Sequence, residues 1–193
     1  MRIILASKSP RRKELLGDIF EKFEIMSADA DETLDEGVST VCGVEILSVR
    51  KGDAVYESLL REGVDLSDTL IISSDTLVEL GGVALGKPVD REDAVSMLKS
   101  LSGKAHNVHT GVAVRLGEKI VSGRRTTAVY FKELSDEQIR AYVDSGEPMD
   151  KAGAYGIQGG AGVFVEKIEG DFDTVVGLSR SLVRELCREL GAI

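Results

Sequence analysis

Tryptophan is absent, and aromatic residues make up only 5% of the 193-residue chain. The aromatic platforms on which single-strand binders stack successive bases are therefore thinly supplied. Cysteine is almost missing too: Cys42 and Cys187 stand far apart, with no Cys-x-x-Cys spacing and no histidine pair beside them. That excludes a zinc site and argues against a disulfide framework, leaving both thiols expected as small buried hydrophobes. No apolar stretch approaches the roughly 20 residues of a spanning helix. The opening residues also lack the long apolar region and small-residue cleavage site of a secretory signal, so a cytoplasmic chain is expected. Positive charge is in deficit. With 24 basic against 33 acidic residues the formal charge is −9, a field that repels nucleic acid and anionic membrane, and neither is expected as a partner.

Against this acidic background the chain opens MRIILASKSPRRKELL, with Lys8, Arg11, Arg12 and Lys13 falling within six residues. The 42% hydrophobic content is enough to bury a sizeable core. No internal repeat, low-complexity tract or long linker divides the chain, and the expectation is a single mixed α/β domain over residues 1–193, drawn as two lobes. The order of elements follows from periodicity and caps. Arg2 to Ala6 is a buried strand. Ser9 caps a helix with Pro10 at its first position, and Leu15, Leu16, Ile19, Phe20 and Phe23 follow at helical spacing. Glu24 to Ser27 returns as a short strand before the acidic loop Asp29 to Glu32. Val44, Leu47, Val55 and Leu59 mark one face of a long helix from Thr40 to Leu60, loosened by Gly43 and Gly52, with Lys51 on the same face.

Leu70 to Leu80 is extended, and Gly81-Gly82 turns it into Val83-Ala84-Leu85. Asp90 caps a helix closed by Gly103. Asn107 to Leu116 and Lys119 to Leu134 alternate as two strands around Gly117-Glu118. Ser135 and Gln138 form a capping box for a helix through Asp144. Glu147 to Gly162 is too irregular for regular structure and long enough to suggest a functional loop. Two short apolar runs and an amphipathic helix from Ser179 to Leu190 end the chain.

Several positions carry chemistry. A helix N-terminus presents unpaired N–H groups, and Ser7, Ser9, Arg11 and Arg12 add hydroxyls and guanidiniums suited to a polyphosphate; the competing reading of SKSPRRK is a solvated basic face. Asp75 stands in an otherwise apolar run, where a carboxylate must be paired, hydrogen-bonded or metal-bound unless the strand breaks there. Lys51 either faces a site or snorkels along the core edge. Gly81-x-x-x-x-Gly86-Lys87 imitates a P-loop, but Pro88 replaces the Ser or Thr and the flanks predict a hairpin, so only a lysine fixed at a turn survives. Glu32 either joins Asp75 on a divalent cation or is a solvated loop charge. His106 and His109, three apart on a strand, face opposite ways and make a poor ligand pair. Asp150 to Gly162 has five glycines in thirteen residues, which let backbone approach a ligand, and Gln158 offers an amide donor and acceptor for a base edge; the alternative is a flexible surface loop.

SKSPRR at 7–12, SDT at 74–76, GKP at 86–88, HTG at 109–111 and GEPMDKAGAYGIQG at 146–159 stand in one order along the chain. In that order and approximate spacing the sequence resembles the Maf family of nucleoside triphosphate pyrophosphatases over essentially its whole length. Arg11, Thr76 and Gln158 match the branch hydrolysing dTTP and UTP. The resemblance implies an inosine-triphosphatase-like α/β fold with an elongated mixed sheet and a cleft between two lobes, a divalent metal cation (Mg, Mn or Co) held by Asp75 and Glu32, and a homodimer. It also implies Asp75 as general base, with Lys51 and Lys87 in the catalytic set. Ser7, Ser9, Arg12 and Glu32 would line the phosphate and metal region. Gly52, Asp173 and Ser179 depart from the family pattern, and Ser179 is expected to loosen the start of the last helix. The activity implied is cleavage of a nucleoside triphosphate to monophosphate and pyrophosphate; the rival is a nucleotide-binding regulator of septum formation without essential catalysis.

Overall fold

Ile4 and Leu5 are fully buried, which is why the opening apolar run extends as a central strand and why the chain turns sharply once Ser7 to Lys13 brings polar groups. A computed structural model describes all residues, 1–193. Strand β1 (Arg2–Leu5) leads into helix α1 (Pro10–Gly17), with Ser9 as N-cap and Pro10 at the first position. Then come β2 (Glu24–Ile25), the long helix α2 (Thr40–Arg61), β3 (Thr69–Leu80), β4 (Val83–Leu85) and α3 (Arg91–Leu101). Strands β5 (Ala105–Leu116) and β6 (Lys119–Phe131) precede α4 (Asp136–Asp144), and β7 (Val165–Glu169), α5 (Phe172–Val176) and α6 (Arg180–Glu189) complete the chain. No helix is long and apolar enough to cross a membrane.

The fold is mixed α/β. The strands pair in the order β2-β1-β3-β5-β6-β7, with β4 also on β3. Pairing is parallel in β2-β1-β3, with Ile4 opposite Ile71 and Leu5 opposite Ile72, and antiparallel in β3-β4 and β6-β7. Two compact units divide the chain. The first is Met1–Asp75, Thr110–Arg125 and Gly177–Ile193; the second is Thr76–His109 and Thr126–Val176. In the first, Ile4, Ala6, Val55, Leu59, Leu66 and Ile71 form a core cluster between strand and helix. In the second, Val78, Leu98, Leu101, Val108, Phe131, Ile139, Tyr155 and Phe164 belong to one larger cluster.

Several expectations need correction. Helix α1 stops at Gly17, because Ile19 and Phe20 both return their N–H groups to the Leu16 carbonyl in a closing turn; Ile19, Phe20 and Phe23 lie beyond it. Strand β3 runs unbroken through Asp75, so the strand-break reading fails. Helix α2 runs unbroken through Gly52, where a Cβ would sit 2.8 Å from Ser73 Oγ, and the glycine admits that contact. Glu147 to Gly162 is not wholly irregular, and it does not lie wholly on the surface. It contains three short 3-10 helices, Glu147–Asp150, Ala152–Ala154 and Gly160–Phe164, and buries Ala154 and Tyr155 in the core. Ser179 tightens rather than loosens α6, its buried Oγ accepting from Leu182 N–H at 3.3 Å. Cys187 is buried, which pushes its thiol up to about 11, whereas Cys42 is only half-buried.

Candidate active site

The basic cluster separates by side-chain direction. Lys8 and Lys13 are exposed, as the solvated-face reading has them. Arg12 turns inward: its Nε donates to the Gly177 carbonyl at 2.9 Å and its Nη1 donates to Ser7 Oγ at 3.4 Å. Ser7 Oγ also accepts from Ser9 N–H at 3.2 Å, and Ser9 Oγ accepts from Arg12 N–H at the start of α1. This loop therefore has its backbone donors fixed by its own hydroxyls at a helix N-terminus where anions are favoured. Arg11 lies partly buried on the same turn.

Asp75 comes to this cluster from β3. Its side chain is only 9% exposed, and Lys51 Nζ, reaching from α2, donates to Asp75 Oδ1. The same Nζ stands 3.0 Å from Glu32 Oε1. Glu32 is 64% exposed, so one carboxylate of the pair is enclosed and the other faces solvent. Burial pulls the Arg12 guanidinium below its usual value, while the charges of Asp75 and Glu32 oppose that fall. Four of the expected residues, Arg12, Glu32, Lys51 and Asp75, thus sense one another electrostatically within the first unit. A buried carboxylate facing a lysine is tolerable because each offsets the desolvation of the other.

Three residues to which the sequence reading gave no site role hold this arrangement. Arg50 Nη1 donates to the carbonyls of Thr33 at 2.5 Å and Asp31 at 3.3 Å, pinning the acidic loop on either side of Glu32. Ser74 Oγ lies 2.8 Å from the Gly111 carbonyl and 2.9 Å from that of Gly177, its single proton shared between them. Gly177 therefore links Ser74 and Arg12, with a φ of 124° that only glycine adopts freely. The signal for Ser74 was available as polarity inside an apolar run. Arg50 and the Gly177 carbonyl carried none, since their partners are backbone atoms.

In the second unit, Thr76 follows Asp75 and is partly buried, while Lys87 is exposed on the turn between β4 and α3. Gly153 N–H donates to the Gly86 carbonyl at 2.9 Å, so the GKP turn and the glycine-rich segment are neighbours there. Gln158 is exposed on that segment. His106 Nε2 pairs with Tyr155 Oη at 2.8 Å and His109 Nδ1 with Thr126 Oγ1 at 2.8 Å. They have separate partners.

The donor set suits a hard divalent cation. Glu32 and Asp75 both reach Lys51, and no group of three or more His, Cys, Asp or Glu side chains gathers anywhere in the chain. Carboxylate oxygens such as these are the donors that a hard divalent cation takes.

Comparison with known proteins gives the family. The Maf-like protein family model matches residues 2–190. The dTTP/UTP pyrophosphatase of Desulforamulus reducens is 46% identical, over 98% of this chain and 96% of its own. Those of Pelotomaculum thermopropionicum and Thermococcus gammatolerans are 44% and 43% identical, each over 98% of this chain and 96% of theirs. A solved structure of the Staphylococcus aureus Ham1 protein is a looser likeness, at 15% identity and a TM-score of 0.48 over 68% of this chain and 72% of that one. With a family model spanning all but the first residue and the last three, this chain belongs to the Maf family.

Proposed function

We propose that this protein is a nucleoside triphosphate pyrophosphatase that hydrolyses dTTP and UTP between the α and β phosphates, releasing the nucleoside monophosphate and pyrophosphate. The names of the curated relatives, dTTP/UTP pyrophosphatases about 45% identical over nearly the whole chain, support the substrate. The observation that carries the chemistry is Asp75, a buried carboxylate within reach of a lysine and under the charge of the inward-turned Arg12 guanidinium.

Asp75 accepts the proton of the attacking water while that oxygen bonds to the α-phosphorus, and the pyrophosphate leaves with the electron pair of the bridging bond. Arg12 and the positive end of the α1 dipole meet the negative charge that builds on the leaving group. Lys51, shared between Asp75 and Glu32, is the mobile cation: its flexible stem lets it exchange a carboxylate for a phosphate oxygen. Asp75 and Glu32 would hold a divalent cation, which supplies charge neutralisation at the phosphoryl oxygens and a more acidic water. Ser7, Ser9 and Arg11 bind phosphate oxygens, and by resemblance to the family Lys87 supplies a point charge. Thr76 and Gln158 contact the nucleoside, Gln158 through its amide. By resemblance to its family the protein acts as a homodimer.

The test is incubation with a panel of pyrimidine and purine triphosphates, with Mg²⁺, Mn²⁺ or Co²⁺ and with chelator, followed by chromatography of the products. Monophosphate and pyrophosphate from dTTP and UTP, lost on chelation, are expected. Orthophosphate and diphosphate would mean that a different bond is cut, and tight nucleotide binding without product would favour a regulatory binder.

A further inference from the structure

Gln158 is carried on a segment whose course is set by one phenol and one carboxylate. Tyr142 Oη, from α4, donates to Glu147 Oε1 at 3.0 Å and accepts from Gly156 N–H at 3.1 Å. The other oxygen, Glu147 Oε2, accepts from Gly160 N–H at 3.0 Å. The two backbone groups so held lie two residues before and two residues after Gln158. Tyr142 is itself buried in the core of the second unit, and burial pushes its phenol upward, so the proton that bridges to Glu147 stays in place. Lys151 Nζ closes the far side by donating to the Glu147 carbonyl at 2.6 Å and to Asp150 Oδ1 at 2.7 Å. A Cβ on Gly159 would overlap the Glu147 carboxylate, and one on Gly160 would crowd the Tyr142 ring at 3.2 Å. The glycines of this stretch therefore admit the carboxylate, in addition to any room they leave for a ligand.

We propose that Tyr142 and Glu147 are positioning residues that preset residues 156–160, so that the Gln158 amide meets the edge of a uracil or thymine ring; the inference rests on the nucleotide reading above. Such a ring offers an N–H donor flanked by two carbonyl acceptors, and a primary amide can pair with donor and acceptor together only when its own plane is fixed. A segment that must be ordered on binding pays that entropy out of the recognition energy, whereas one held beforehand does not. Loosening the clasp should therefore weaken recognition of the base more than it slows bond cleavage.

The variants are Tyr142→Phe, which removes the shared hydroxyl, and Glu147→Gln, which keeps the shape but can accept through one oxygen only. For each, kcat and KM are measured with dTTP, UTP and a purine triphosphate, beside the parent and Gln158→Ala, with melting curves to confirm folding. Expected is a rise of about tenfold in KM for dTTP and UTP in Tyr142→Phe and a smaller rise in Glu147→Gln. In both, kcat should stay within about twofold, the purine KM should be unmoved, and the behaviour should approach that of Gln158→Ala. Parental KM values in both folded variants, a loss equal for all triphosphates, or a fall confined to kcat would each overturn the clasp's role. A parent that cleaves neither dTTP nor UTP would instead overturn the nucleotide reading, and the role of the clasp with it.

Discussion

Asp75 was legible as a residue with a purpose because a lone carboxylate in an apolar strand costs several kcal/mol unless something meets it. What meets it, Lys51 on α2, stands 24 residues earlier, and nothing local links the two. The proposed chemistry predicts that Asp75→Asn folds normally but loses about 10²- to 10⁴-fold in kcat, the range expected on removing a general base. Steady-state kinetics with dTTP beside a melting curve checks it, and near-parental turnover would remove Asp75 from the mechanism. The pair also has a structural consequence. Lys51→Met leaves a buried carboxylate without its closest cation and should cost about 2 kcal/mol at neutral pH, given that the lysine is itself partly exposed. Adding Asp75→Asn to that variant should recover most of the loss in chemical denaturation. Arg50 and Gly177 stayed hidden at this scale because they act on or through backbone carbonyls, which every residue possesses.

At the level of elements, caps and turns followed from residue type. Ser9-Pro10, Asp90 and the Ser135–Gln138 box start α1, α3 and α4 as expected. These signals satisfy backbone groups within a few residues, so tertiary context has little to override. The length of α1 was overestimated, because apolar spacing continues into a buried turn whether or not the helix does. Gly111 shows what periodicity cannot reveal: a Cβ there would collide with the Val44 carbonyl, so α2 lies directly against β5. The core of the second unit supplies a pH prediction. His106, edge-on to Phe131 and Tyr155, is pushed down to about 4 by burial. The unfolded chain binds that proton near pH 6.5, and the folded one refuses it until about pH 4. Stability should thus be undiminished above pH 6.5 and fall by about 3 kcal/mol as the pH drops to about 4. Melting temperatures across this range should fall less steeply in His106→Gln, which retains a partner for Tyr155; parallel slopes would assign acid sensitivity to other groups.

For the molecule as a whole, the formal charge of −9 confines anion binding to places where local cations and N–H groups outweigh the general field. Duplex DNA and RNA should accordingly show no mobility shift with micromolar protein at low salt, and a salt-sensitive shift would contradict that expectation. Composition and periodicity were enough to place the chain among mixed α/β proteins, because the alternation of strand and helix patterns is a property of neighbouring residues. The glycine-rich stretch after α4 misled at the same level: glycine content signals freedom, yet here the side chains of Tyr142 and Glu147 remove it. The sequence by itself determined most of the elements, their caps and the residue types able to handle phosphate, since each depends on groups close along the chain. Only the tertiary structure decided that Lys51 bridges Glu32 and Asp75, that Arg12 turns in to Gly177, and that a carboxylate holds the segment bearing Gln158. Those are meetings of distant residues, and burial and hydrogen-bond geometry select them only once the chain has folded.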